Sequence, residues 1–490
     1  MNTHLLALQL MSAQGILGAF DTLYHHELTE ALPQRSTARK ELSIHAVRAI
    51  IYSTLFVGLS FWKWHGLWAL ILLAVFGIEI ILTLWDFVVE DKTRLLPATE
   101  RVTHTVLAMN GGAFITLLAL NSPTWLSAPT AMVWESQGLL SIFLALCGIG
   151  VGLSGVRDAF AARRLKTNEK TEKLLPSIHF GDRSESVLIT GGTGFIGQLL
   201  VRSLIADGKL VTVLTRNSKQ AAWQFDGKVR CISNMSELPS THVIDVIINL
   251  AGARVLGLHW TSARKSFLRK SRIALTNNLV DWIANAKHKP RLLISASAIG
   301  YYGIQREGDD TILTEESPPQ PIFMSQLCHE WEGVAQRAST YGVRVMLMRL
   351  GLVLGNQGPL PMMMLPIKLG LGGPLGSGKQ WHSWIHVHDV LRGIAHLWTV
   401  SVQNDSASHA IDAYNFTAPE TVTQKQFSQI AAKVIHRPCI FPTPGFPIRL
   451  ALGDQADLLL QGQRVIPAKL QSSGFTFSFP KLRMALENLK

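Results

Sequence analysis

Between residues 186 and 215 the chain reads strand, glycine turn, helix, strand in direct succession. SVLIT (186–190) is a short apolar run. It leads into Gly191-Gly192-Thr193-Gly194-Phe195-Ile196-Gly197, then the helical pattern QLLVRSLIADG, which stops at Gly208, then LVTVLT. This order makes one βαβ unit. Gly191 permits the tight turn, Gly194 lets the backbone approach a ligand, and Gly197 lets the helix pack close to the strand. The helix start offers free N–H groups and the positive end of a dipole to phosphates. The turn therefore predicts a dinucleotide pyrophosphate site built from Gly191, Gly192, Thr193, Gly194, Phe195, Ile196 and Gly197.

The end of the second strand selects the nucleotide. An acid there would bond the ribose hydroxyls of NAD, but the chain has Thr215-Arg216-Asn217-Ser218. Arg216 suits a 2′-phosphate, so the expected cofactor is NADP(H); the plainer alternative for Arg216 is a solvated surface arginine. Apolar runs recur at 243–252, 291–303 and 343–351, with helical stretches near 265–288 and 325–341. That alternation predicts an α/β fold, a doubly wound parallel sheet binding its ligand at the strands' carboxyl ends. Asn249, Ala251, Gly252 and Ser295 lie at two such ends and join the expected cofactor contacts.

The first 156 residues differ in kind. Apolar stretches run roughly over 5–24, 44–62, 67–89, 102–120 and 131–153, each near the ~20 residues that span a bilayer core. Mean hydropathy is +0.21, and only 16% of residues are charged. An all-α transmembrane bundle of about five spans is expected. Lys and Arg concentrate in the first and third loops and after the fifth span, which puts the N-terminus outside and the remainder in the cytoplasm, as at a bacterial inner membrane. Residues 157–185 are charged and read as a helix or linker, and 421–490 as a C-terminal α+β lobe. The net charge of +12 falls wholly beyond residue 165, where it suits an anionic or lipid-linked small-molecule substrate or a membrane surface. No interleaved basic–aromatic pattern points to nucleic acid. Cys147, Cys231, Cys328 and Cys439 form no CxxC pair, so no disulfide framework is expected.

Four pairs sit at one end of the spans: Asp21/His25, Glu41/His45, Asp86/Glu90 and Glu100/His104. Spacing of i,i+4 puts each pair on one helix face. Inward carboxylates and histidines from several helices are how bundles hold metals, so all eight are candidate ligands; the alternative is interfacial charge at helix ends.

TGGTGFIG, NLAG and SASAIGYYG together resemble the extended short-chain dehydrogenase/reductases. SRIALT, HEWEG, RLGLVLG, GLGGPLGSGKQWHSWIHVHDV and the tail QGQRVIPAKLQSSGFTFSFP narrow the resemblance to an atypical epimerase family branch that ends in a domain of unknown function. It covers about residues 186–490. The resemblance implies a Rossmann fold and a Ser or Thr at the end of the fifth strand, here Ser297 or, less well placed, Ser295. It also implies a Tyr-x-x-x-Lys acid/base pair. No tyrosine in the chain is followed by lysine four positions on, and with Glu332 in register Met324 and Cys328 stand at those two places. Tyr302, Tyr301, His329 and His386 are the replacement proton donors, with Ser297 and Tyr302 the catalytic candidates. The resemblance thus leaves two functions open: an NADP(H)-dependent oxidoreductase or epimerase, and a non-catalytic NADP(H)-binding sensor or scaffold. The glycine-rich segment 370–378 and the basic run Arg264, Lys265, Arg269, Lys270, Arg272 are candidate anion contacts; a plain loop and a solvated helix face are the alternatives. Asp389 is expected to cap the helix that follows it.

Overall fold

The computed structural model describes residues 3–174, 177–181, 184–257, 259–403 and 410–490. The chain divides into two compact units, Met1–Lys170 and Thr171–Lys490.

The first unit is a helical bundle: Thr3–Phe20, Arg39–Phe61, Leu67–Thr93, Ala98–Leu120 and Leu139–Leu174. The last four are long and apolar enough to cross a membrane; Thr3–Phe20, which carries His4, Gln9 and Gln14, is not among them. The stretch expected to span from residue 131 starts its helix only at Leu139, because Ala131–Trp134 pairs antiparallel with Trp62–His65. Phe61 stacks on Trp134 across this ladder. The charged segment after residue 156 continues the last helix to Leu174.

The bundle inverts the usual amphipathic pattern. Helix Leu67–Thr93 exposes Ile71, Ile78, Ile81, Leu84 and Val88 while burying Glu79, Asp86 and Glu90. Helix Leu139–Leu174 likewise exposes Ile142, Leu146, Ile149 and Leu153. A helix in water does the reverse.

The second unit holds seven parallel strands: β1 (Ser186–Thr190), β2 (Leu210–Leu214), β3 (Arg230–Ile232), β4 (Val246–Asn249), β5 (Leu292–Ala298), β6 (Arg344–Leu350) and β7 (Ile411–Phe416). Their spatial order is β7-β6-β5-β4-β1-β2-β3. The order reverses at β1, between β2 and β4, which opens a crevice at the carboxyl ends of β1 and β4. Apolar runs such as VII in β4 are buried on both faces, as a covered parallel sheet demands. Val187, Ile189, Ile248 and Ile294 pack against helices Phe195–Ala206 and Val387–Gln403; Leu188, Ile247 and Leu293 pack against Leu275–Asn285. The C-terminal lobe adds helices Gln424–Val434, Gly445–Leu452 and Leu482–Asn488, with a two-residue ladder joining Val422–Thr423 to Trp381–His382.

Candidate cofactor site

The glycine turn lies at the mouth of the crevice, and each glycine has a steric reason. Gly191 has φ +69°, and a Cβ there would come within 2.8 Å of the Leu250 carbonyl carbon. At Gly197 a Cβ would meet the Gly191 oxygen at 2.1 Å, so helix and turn touch backbone to backbone. Gly194 caps the helix Phe195–Ala206 in extended conformation. Thr193 and Gly194 are exposed, whereas Gly192 and Gly197 are buried. The turn therefore presents exposed backbone outward and is held from behind by the Gly194 amide's bond to the Gly191 carbonyl, which fits a bound pyrophosphate at the helix start. Phe195 and Ile196 are half-buried. Gly355 and Gly358 pass over the Phe195 ring, where a Cβ would sit 2.5 Å and 2.8 Å from it.

Thr215 and Arg216 follow β2, and Arg216 is exposed. Asn249 and Ser295 serve the scaffold. The Asn249 side chain accepts from Thr190 Oγ1 (2.7 Å) and donates to Thr276 Oγ1 (2.9 Å) and Ser295 Oγ (3.1 Å). Thr190 Oγ1 accepts from the Ala251 amide, and Trp331 Nε1 donates to Thr276. This buried network ties the carboxyl ends of β1 and β4 to the middle of β5 and sets the course of the Ala251-Gly252 loop. Asn249 and Ser295, expected at the cofactor, are wholly buried.

Ser297 and Tyr302 belong to a second buried network. Ser297 Oγ donates to Glu332 Oε1 (2.6 Å), and Glu332 holds Arg349 through two bonds of 2.9 Å. Arg349 donates to the Tyr302 hydroxyl (2.9 Å), which donates to Asn415 Oδ1 (2.7 Å). The Arg349 guanidinium lies 3.6 Å from the Tyr301 ring centroid. Burial pushes the Tyr302 hydroxyl up to about 12, against the opposing pull of Arg349. Cys328, also pushed up to about 12 by burial, packs with Met324 beside Gly300.

His386, a proton-donor candidate, lies on the strand Trp384–His386, which pairs with Leu352–Leu354. Desolvation presses His386 down to about 3, His388 to about 4 and His382 to about 4. All three are neutral at pH 7. The unfolded chain binds protons at these residues near pH 6.5, so between that pH and about 4 it holds more protons than the folded chain. Stability is complete above about pH 6.5 and falls on acidification. We expect thermal melting from pH 7.5 to 4.5 to show a steep loss below about pH 6 that His386→Leu reduces.

Asp389 does not cap its helix. It accepts from the Ser478 and Phe479 amides and so clamps the C-terminal segment. The glycine segment is spent on packing: a Cβ at Gly373 would lie 2.0 Å from the Phe441 carbonyl oxygen, and Gly376 donates to the Thr443 carbonyl. The basic run is partly neutralised by Lys265–Asp454 and Arg269–Glu330. Arg272 departs from it. It turns inward against Gly252, donates to the Ala253 carbonyl and stacks over Trp331. Burial lowers its pKa. Position on a basic helical face gave no hint of this placement.

Of the eight residues singled out in the bundle, Asp21, Glu41, His45, Glu90 and His104 converge. His25 instead pairs with Asp21 and approaches Thr99; Asp86 is held by Arg48 and His45, and Glu100 by Arg94, which bonds Glu41 as well. His26, which no i,i+4 pair included, takes the inward place. Residues Asp21–Thr29 form a π-helical turn, and its wider spacing brings His26 as well as His25 onto Asp21.

A profile of the NAD dependent epimerase/dehydratase family matches residues 187–410, and one described as a domain of unknown function matches residues 443–489. An epimerase family protein of Staphylococcus saprophyticus is 40% identical over 316 residues, covering 62% of this chain and 98% of that protein. Epimerase family protein YfhF of Bacillus subtilis is 38% identical over 308 residues, covering 62% and 97%. The crystal structure of human epimerase family protein SDR39U1 with NADPH is 30% identical, with a TM-score of 0.53 over 62% of this chain and 98% of that one. The two profile matches and the identity to these relatives over nearly their whole length lead to one conclusion: this chain belongs to the NAD dependent epimerase/dehydratase family, in its epimerase family protein branch.

Proposed function

We propose that the chain is an NADP(H)-dependent oxidoreductase held at a membrane. The observation that carries the cofactor reading is the backbone cradle at Gly191–Gly197, with exposed Arg216 two residues beyond β2. A related human protein crystallised with NADPH supports the same choice. When bound, NADPH would supply a hydride, with the turn at Gly191–Gly197 holding its pyrophosphate and Arg216 its 2′-phosphate. Arg216→Ala removes charge-assisted bonds to the 2′-phosphate worth about 1.5–3 kcal/mol, so NADPH affinity falls roughly 10- to 100-fold while NADH affinity holds. Equal loss for both nucleotides in a titration of the detergent-solubilised chain would refute that assignment.

Outward apolar faces above inward carboxylates support membrane anchoring of the first unit. Helices Leu360–Lys368 and Gly445–Leu452 expose Met362, Leu365, Phe446 and Leu450. With Arg272 turned inward against Gly252, they favour a small anionic or lipid-linked substrate. Retention of the protein in carbonate-washed membranes tests the anchoring; release into the wash excludes it.

A second reading, a non-catalytic NADP(H)-binding sensor, has its own support. Met324 and Cys328 stand where the resemblance places the Tyr/Lys pair, and Ser297 and Tyr302 are bonded inside the protein. Tyr302→Phe then costs roughly 1–3 kcal/mol of stability and leaves NADPH affinity unchanged. NADPH oxidation across sugars, quinones and aldehydes, measured on the full chain, separates the readings: turnover establishes the reductase, and stoichiometric binding without oxidation the sensor.

A further inference from the structure

The densest unused group of polar side chains lies at one end of the helical bundle. Seven carboxylates meet there: Asp21, Glu30, Glu41, Glu79, Asp86, Glu90 and Glu100. Three guanidinium groups answer them. Arg94 bridges Glu41 and Glu100 and approaches Glu30, Arg48 binds Asp86 and Glu79, and Arg35 binds Glu30. Four negative charges remain, nearly all out of contact with water. Buried charge in that amount requires further cations.

Histidines supply one route. His25, His26, His45 and His104 all touch the carboxylates, and four imidazolium ions would close the balance. Geometry argues against it. His26 and His45 stack face to face with ring centroids 4.6 Å apart and planes 9° from parallel. Two like charges in that position repel, so four imidazolium ions are a costly way to close the balance. Metal ions are the other route, and the donors are spaced for them. Asp21, His26 and His104 each offer one ligand atom within 4.8 Å of the others, and Glu41, His45 and Glu90 do the same. His26 Nε2 and His104 Nε2 lie 3.3 Å and 3.2 Å from Asp21 Oδ2. Donors about 2.0–2.2 Å from one ion stand roughly 3.0–3.5 Å apart.

Glu90 gives the independent sign. It is 1% exposed, and neither carboxylate oxygen takes a well-formed hydrogen bond. Oε1 points towards His45 Nε2 at 3.8 Å, inside its own group of donors, and Oε2 towards His104 Nδ1 at 3.3 Å, the ring nitrogen opposite the one that faces Asp21. A buried carboxylate left this way is costly unless something else occupies its lone pairs. His25, bonded to Asp21 Oδ1 at 2.8 Å, holds that carboxylate with Oδ2 turned to the donors, the part an outer partner plays at metal sites.

We propose that this cluster is a transition-metal centre of two adjacent sites, Asp21/His26/His104 and Glu41/His45/Glu90, with Glu90 a ligand of the second and an outer partner of His104 in the first. Imidazole nitrogens with carboxylate oxygens suit iron, manganese or zinc. The centre is independent of the NADP(H) reading, and its test does not use the nucleotide.

Elemental analysis of the full chain, purified in mild detergent without chelator, is expected to find about two first-row metal ions per chain. Glu90→Gln and His104→Ala should each lose at least half of them, while Glu135→Gln, whose partners are Lys63 and Gln137, outside the cluster, keeps them all. Gel filtration and melting of each variant separate lost metal from lost fold. The unsubstituted chain, stripped and reloaded with Co(II), should show the d–d absorption of nitrogen and oxygen ligation. One ion per chain, removed by both variants, upholds a centre at these residues and reduces it to a single site. Metal absent both as purified and after loading with Fe(II), Mn(II) or Zn(II) overturns the proposal. So does full metal content in well-folded Glu90→Gln.

Discussion

Gly197→Ala abolishes NADPH binding at micromolar concentration. The added Cβ falls 2.1 Å from the Gly191 oxygen and 2.8 Å from the Gly192 Cα. Both are backbone atoms, so no side chain swings aside. The helix Phe195–Ala206 must back away from the turn, and the amides that face the phosphates move with it. A shift of this kind costs roughly 1–3 kcal/mol in strain. The larger loss is in binding, because misdirected amides forfeit several charge-assisted bonds at once; an affinity drop of about 100-fold or more follows. Gly208→Ala is the matched control. Gly208 has φ +75° but open space around its Cβ position. It pays only the left-handed backbone penalty, about 1–2 kcal/mol, with NADPH affinity intact. Calorimetric titration of both variants decides the matter, and near-normal affinity in Gly197→Ala would remove the cradle as the binding element.

Glu332→Ala destabilises the second unit by about 3–5 kcal/mol. The substitution strips the buried Arg349 of its carboxylate and the Ser297 hydroxyl of its acceptor, while the Tyr302 and Glu315 oxygens remain as neutral partners. An uncompensated guanidinium in the interior, rather than the lost attraction itself, sets the size of the effect. Melting of the full chain should fall by roughly 5–10 °C. The double variant Glu332→Leu/Arg349→Met should recover part of that loss, because it removes both charges. A melting change below about 1 °C in Glu332→Ala would show that water reaches Arg349.

Residue order carried the βαβ unit. A strand, three glycines at fixed spacing and an amphipathic helix form a local pattern, and the forces that read it act over a few residues. Two strands lacked such a pattern. Arg230–Ile232 has three residues, and Ile411–Phe416 carries Asp and Asn among its apolar positions; each is a strand because β2 or β6 supplies its hydrogen bonds. Asn249 and Ser295 were legible as strand-end residues, but not as members of a bridge between strands. That bridge depends on partners 27 to 59 positions away. Ser297 and Tyr302 likewise acquire their surroundings from Glu332, Arg349 and Asn415, which no spacing rule joins to them.

The bundle divides in the same way. Helical periodicity placed acids and histidines on common faces at one end. It chose His25 over His26, because a regular α-helix was assumed where a π-helical turn occurs. By itself the sequence determined the dinucleotide fold, its glycine turn, the apolar helices and the branch of the family, since each is written in neighbouring residues. Tertiary structure alone decided which polar groups are bonded away inside, that Arg272 turns inward against Gly252, and which carboxylates meet histidines. Those outcomes depend on burial and on contacts between segments far apart in the chain, where the cost of an unpaired charge or hydrogen bond is set.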